Sequence, residues 1–172
     1  MAFIDGTVVT LALPTIARDL GTGLTGQQWI VLSYALMLAA LYLLGGALGD
    51  RFGRQRIFLI GVIGFALASA VCGLAPSEAV LVAGRILQGV AGGLLTPTSL
   101  GLLRATYGNE SGAAIGHWSA WTTLVSVGGP AAGGALVEWA SWRWIFFINL
   151  PLAAASAGLV LAAGPQPEEP ET

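Results

Sequence analysis

Four charged residues fall within seven positions, Asp50, Arg51, Arg54 and Arg56, and on either side lies a run of about twenty uncharged residues, 29–48 and 57–75. The hydrocarbon layer of a bilayer is about 30 Å thick, and a helix of about twenty apolar residues crosses it. The charged turn must therefore stand in water, with one span entering it and the next leaving. Short loops rich in arginine stay on the cytoplasmic side. The segment 49–56 is thus expected inside the cell, and it fixes the direction of every other segment. Only 9% of the 172 residues are charged, 55% are hydrophobic, and the mean hydropathy is +0.78. A soluble domain carries roughly a quarter charged residues, so this is the composition of an integral membrane protein whose first partner is the lipid bilayer.

Several function classes are excluded by what the chain lacks. It has no lysine, and its net charge of -2 is spread over the ends of loops, so no basic face is available for nucleic acid. The single Cys72 precludes an internal disulfide, and the lone His117 precludes a His-rich metal cluster. Neither H-E-x-x-H nor G-x-S-x-G occurs, and a phosphate loop ending in lysine is impossible. The reading is of a non-enzymatic protein with no cofactor.

Taken in order, the chain reads as an all-α bundle of five full spans and one partial span. Residues 1–13 would rise only about 20 Å as a helix. Asp5 interrupts that run and Pro14 closes it, so it is expected to be the outer part of a first helix whose beginning is absent, and it lacks the basic start and cleavage site of a signal peptide. An external loop is expected over 15–28, then spans at 29–48, 57–75, 79–103, 113–137 and 144–164. Ser77 is placed to cap the fourth helix. The aromatic run 142–147 and the group His117, Trp118 and Trp121 suit membrane-interface anchors. Residues 165–172 form an acidic, proline-rich tail without core-forming residues.

Two ionisable residues inside apolar runs call for a function. A guanidinium within a span costs about 2.5 to 3.5 kcal/mol on insertion scales, so Arg85 needs a partner or a cavity. Gln88, Gly89 and Gly93 fall on or near its helical face. Asp5 is the one carboxylate within an apolar run. Burial and a nearby arginine act in opposite directions on a carboxyl group's affinity for a proton, so Asp5 close to Arg85 is suited to load and release one.

The motifs resemble those of the major facilitator superfamily of secondary transporters, in its fourteen-helix drug:proton antiporter branch. The run Gly46-x-Leu48-x-Asp50-Arg51-x-Gly53-Arg54-x-Arg56 is similar to that family's loop between the second and third helices, a cytoplasmic latch. The stretch around Asp5, ending at Pro14, resembles the end of its first helix, with Thr10 where asparagine is more usual. Arg85-x-x-Gln88-Gly89-x-x-x-Gly93 resembles its fourth-helix motif, whose arginine is assigned to proton coupling. Gly129-Pro130-x-x-Gly133-Gly134 resembles the core of its antiporter motif, although Val125 stands where the full motif has an earlier glycine.

What the resemblance implies is the N-terminal six-helix half of a transporter in the plasma (inner) membrane. It would exchange protons for amphipathic or cationic small molecules by alternating access, with Asp5 and Arg85 in proton coupling. The C-terminal half would be missing, and the chain alone inactive. A non-transporting membrane subunit that needs a partner chain, and an exporter of a metabolite or lipid, are the alternative readings.

Overall fold

The computed structural model describes residues 2–164, without the side chains of 2–4, 109 and 132; Met1 and the acidic tail 165–172 lie outside the described residues. Every regular element among them is helical: α1 (Ala2–Leu20), α2 (Leu24–Phe52), α3 (Arg54–Gly73), α4 (Glu78–Tyr107), a single 3-10 turn (Gly108–Glu110), α5 (Ser111–Trp139), α6 (Trp144–Phe147) and α7 (Asn149–Ala162). By length and composition α2, α3, α4 and the stretch Trp144–Ala162 can each cross a bilayer, with mean hydropathies of 1.5 to 2.0.

The first helix does not stop at Pro14. Proline removes one hydrogen bond from a helix, but the apolar stripe Val9, Ala12 and Ile16 runs past it at helical spacing, and all three are fully buried. That continuous burial carries α1 on to Leu20, so much of the segment expected as an external loop is helix. The break falls at Gly21, which takes a positive φ of 66°, and the N–H of Thr22 donates back to the Ala17 carbonyl at 3.1 Å. Ser77 occupies the N-cap position of α4 with extended backbone but makes no side-chain cap bond.

The charged turn is shorter than its sequence suggests. Helix α2 runs through Asp50 and Arg51 to Phe52, and α3 begins at Arg54. Only Gly53 separates them, at φ 93°, a conformation that side-chain-bearing residues rarely adopt.

Helix α4 packs between α2 and α3. Its contact with α2 is a small-residue seam: a methyl group added at Gly89 would sit 2.5 Å from the Tyr34 carbonyl, and one at Gly93 would sit 2.8 Å from Leu41 Cβ. Gly45 of α2 meets the Gly93 carbonyl in the same way. In a membrane, where lipid is as apolar as leucine, close backbone approach of this kind drives helix association. Helix α5 lies against α1, with Gly133 facing Val8. At the end of the bundle away from Gly53, Trp142, Ile145 and Phe146 join Val8, Val9, Ala12, Ile16, Ile30 and Leu81 in one apolar cluster. Trp142 is therefore 2% exposed, whereas Trp144 is 54% exposed; the aromatic run splits between core and surface. The seam between α6 and α7 has a covalent cause. Pro151 lacks the N–H that the Phe147 carbonyl would otherwise accept.

Candidate functional site

Asp5 of α1 and Arg85 of α4 meet in the interior, at 3% and 0% exposure. Arg85 Nη1 donates to Asp5 Oδ2, and it also donates to Gln88 Oε1 at 2.8 Å. Arg85 Nε donates to the Ile30 carbonyl of α2 at 3.1 Å. The guanidinium carbon stands 4.1 Å from the centroid of the Tyr34 ring, a cation–π distance. Charge, hydrogen bonds and a ring face answer the guanidinium at this depth, and Nη2 alone is buried without a hydrogen-bond partner among the described residues. The arginine does not reach outward to solvent.

Gln88 knits the pair to its surroundings. Its Nε2 donates to Ser69 Oγ of α3 at 2.7 Å and, at 3.4 Å, to Asp5 Oδ1. Its Oε1 also receives the Cys72 thiol at 3.4 Å. Asn149, at the start of α7, donates from Nδ2 to Asp5 Oδ1 at 3.3 Å. The two carboxylate oxygens are thus treated differently: Oδ2 faces the guanidinium, and Oδ1 faces two neutral amides. Ser69, Cys72, Tyr34 and Asn149 are all buried. None of the four was singled out from the sequence; the available signal was an isolated polar residue within an apolar run, which Asn149 and Ser69 both show.

The predicted latch residues assemble at the opposite end. Arg54 Nε donates to Asp50 Oδ1 at 2.9 Å across the Gly53 break, and Arg54 Nη1 reaches the Gly101 carbonyl of α4 at 3.4 Å. Gly46 lies beside Pro97, with room for a methyl group 3.8 Å from its ring. A groove of about 240 Å³ between these ends of α2 and α4 is lined by Tyr42, Gly46, Asp50, Arg54, Thr98 and Arg104 among others. Arg51 stacks on Phe52 at 5.4 Å, and Arg56 is exposed; among the described residues neither makes an ion pair with Asp50. Gln55, not predicted, donates to the carbonyls of Val160 and Gly164 at 3.1 Å each and closes the end of α7.

The fourth-helix glycines, Gly89 and Gly93, form the seam with α2 rather than the polar cluster. In α5, Gly129 and Gly133 are buried and Pro130 and Gly134 half-buried. Gly133 touches Val8, one turn from Asp5 on α1, and Gly134 has open space beside it. His117 stays on an exposed face, with Nδ1 2.8 Å from the Ala113 carbonyl.

At the end of the bundle away from Gly53 a third ion pair appears. Arg143 Nη1 donates to Asp19 Oδ2 at 2.7 Å, Trp142 Nε1 donates to the same oxygen at 2.9 Å, and Arg143 Nη2 reaches the Ala75 carbonyl at 3.2 Å. The Arg143 and Trp142 hydrogen bonds hold the Asp19 carboxyl below its ordinary value of 3.8.

Residues 1–172 match the Major Facilitator Superfamily. The chain is 44% identical over 164 residues to the tetracenomycin C resistance and export protein of Streptomyces glaucescens, covering 94% of this chain and 30% of that protein. It is 42% identical over 158 residues to the methylenomycin A resistance protein of Bacillus subtilis, covering 91% and 34%. With the multidrug efflux pump LfrA of Mycolicibacterium smegmatis the identity is 42% over 151 residues, covering 87% and 30%. The chain thus spans about a third of the length of these curated relatives.

Proposed function

Because the chain belongs to the major facilitator superfamily, a family of multi-pass membrane transporters, we propose that it is the N-terminal part of a proton-driven exporter of amphipathic or cationic small molecules in the plasma membrane, with the segment 49–56 in the cytoplasm. The relatives named for drug resistance and efflux support the substrate class. The observation that carries the coupling reading is the buried Asp5–Arg85 pair.

Protonation of Asp5 cancels the carboxylate charge, while an arginine keeps its own at any physiological pH. Two unit charges about 4 Å apart attract by about 4 kcal/mol at an effective dielectric of 20. Proton uptake removes that attraction between α1 and α4. Arg85 is left with Gln88, the Ile30 carbonyl and the Tyr34 ring, all on α2 and α4. Helix α1 is then free to shift against the other two, which is the two-state element that alternating access requires. In this reading the Asp50–Arg54 pair, with Gly46, Gly53, Arg51 and Arg56, is the cytoplasmic latch. Of the α5 motif, Gly129 and Gly133 are buried, with Gly133 packed on Val8 of α1, while Pro130 and Gly134, half-buried, are left to meet the remainder of the transporter. Substrate binds between two halves, so the chain by itself is expected to be inactive.

The test is efflux of a fluorescent cation by the full-length transporter. Asp5→Asn and Arg85→Ala should each abolish efflux driven by a proton gradient while the protein still inserts. Normal proton-driven turnover in either variant removes that residue from the mechanism. Gradient-dependent transport in vesicles that hold only this polypeptide would refute its inactivity.

A further inference from the structure

Asn149 occupies a position that the coupling reading does not use. Its side chain is 3% exposed, and its one side-chain hydrogen bond among the described residues runs from Nδ2 to Asp5 Oδ1. It is also the first residue of α7, directly after the seam that Pro151 opens in the helix. Gln88, the other amide on Oδ1, is fixed by Arg85, Ser69 and Cys72. Of the two amides, Asn149 is therefore the one free to turn.

We infer that Asn149 is a positioning residue for the coupling carboxylate: it holds Oδ1 of Asp5 while the acid is charged and releases or inverts when Oδ1 takes the proton, so that α7 reads the charge state of α1. The argument rests on the proposal that Asp5 carries the coupled proton. Oδ2 faces a guanidinium and is the less basic oxygen, so the proton goes to Oδ1, which has only two long amide bonds. An O–H formed there can no longer accept along that direction, and it confronts an N–H donor on Asn149. Two donors facing each other must part. A turn of the amide places Oδ1 of Asn149 against the new O–H and turns the former donor into an acceptor. Such a turn changes how the first residue of α7 is tied to α1.

The titratable groups around Asp5 are Arg85 from α4, Tyr34 from α2 and Cys72 from α3. Helix α5 approaches α1 through Gly133 on Val8 and brings no charge there, and α7 brings only the Asn149 amide. Among the described residues, removal of that amide therefore takes a side-chain hydrogen bond from Asp5 and from no other ionisable group.

The experiment measures proton-driven efflux of a fluorescent cation by the full-length transporter from pH 5.5 to 8.5, in wild type and in Asn149→Leu, Asn149→Ser and Asp5→Asn. Loss of the amide in Asn149→Leu should move the pH of half-maximal efflux upward by about one unit, because the bond it makes to the charged carboxylate is stronger than the neutral one it makes to the acid after turning. Asn149→Ser, smaller and still able to donate, should move it less and in the same direction; it also carries the test if Asn149→Leu does not insert. An unmoved pH profile in the variant that inserts, including a uniform loss of rate at every pH, overturns the role of Asn149. Normal coupling in Asp5→Asn overturns the underlying reading instead, so the two failures are distinguishable.

Discussion

Neutralising either member of the buried pair should destabilise the protein, but by amounts that depend differently on pH. In Arg85→Met the carboxylate of Asp5 keeps only the bonds from Gln88 and Asn149, at 3.4 and 3.3 Å. A buried carboxylate without a counter-ion can take a proton instead of staying charged. The cost is then capped by the work of protonation from an ordinary aspartate value of about 3.9, about 4 kcal/mol at pH 7 and about 1.5 kcal/mol at pH 5. Asp5→Asn leaves the opposite problem. Arg85 cannot shed its proton, so the cost stays at the 3 to 5 kcal/mol typical of a broken buried pair at both pH values. The double variant, with neither charge, should lose much less than the sum of the singles, by a coupling of about 2 to 3 kcal/mol or more. The assay is equilibrium unfolding of the purified full-length protein in mixed micelles titrated with dodecyl sulfate, at pH 5 and pH 7, each variant compared with wild type. Equal, pH-independent losses in the two single variants, or additive losses in the double, would refute the argument that the pair exists as a desolvated ion pair.

Three further outcomes are expected. In a Cys72→Ala background a cysteine at Arg56 should resist impermeant thiol reagents added outside intact cells and one at Gly23 should react; external labelling at Arg56 reverses the assigned orientation. Asp19 has a lowered folded pKa because of Arg143 and Trp142, so its contribution to stability is present above 3.8, the unfolded value, and disappears as pH falls through the lower folded value. The stability difference between wild type and Asp19→Asn should therefore shrink on acidification below 3.8, and a difference that grows there contradicts the pairing. Gly133→Ala should cost about 1 to 3 kcal/mol by overpacking against Val8, and Val8→Ala in the same chain should recover most of it, since the methyl groups that clash are then gone; a second loss without recovery in the micelle assay places the damage elsewhere.

What was legible in the sequence followed from strong local signals. An arginine in an apolar run, a carboxylate in another, and arginines clustered at one turn each violate the composition around them, and those violations pointed to Asp5, Arg85 and the Asp50–Arg54 turn. The end of α1 was not legible, because Pro14 and the polar residues after it look like a loop locally, while the burial of Ile16 that holds the helix together is a tertiary fact. Trp142 was read with its aromatic neighbours as an interface anchor; its partner Asp19 lies 123 positions away. Asn149 escaped for the same reason. Its amide shows in the sequence only as a polar residue within an apolar run, and its partner is set by α1, which places Asp5 in front of it.

Stability does not account for the cluster that results. Replacing a buried ion pair with well-packed apolar residues is often neutral or stabilising, and an arginine at this depth also costs about 2.5 to 3.5 kcal/mol on insertion scales. The arrangement makes sense as a device that responds to charge. Asp5 from α1, Gln88 and Arg85 from α4, Ser69 and Cys72 from α3 and Asn149 from α7 lie within one or two hydrogen bonds of a single carboxylate, and α2 joins through the Ile30 carbonyl and the Tyr34 ring. In the proposed coupling, a proton on that carboxylate alters its own contacts with α4 and α7, and reaches α2 and α3 at one remove, through Arg85 and Gln88. Helix α5 packs mainly on α1, where Gly133 meets Val8 one turn from Asp5, and to a lesser extent on α4 and α6. In that coupling the proton therefore acts on α4 and α7 directly and on α2 and α3 indirectly, whereas α5, with no hydrogen bond to the cluster among the described residues, responds mainly through α1. On that proposal, substitutions at Gly133 are expected to alter transport rate without shifting its pH profile, and a shifted profile would count against it.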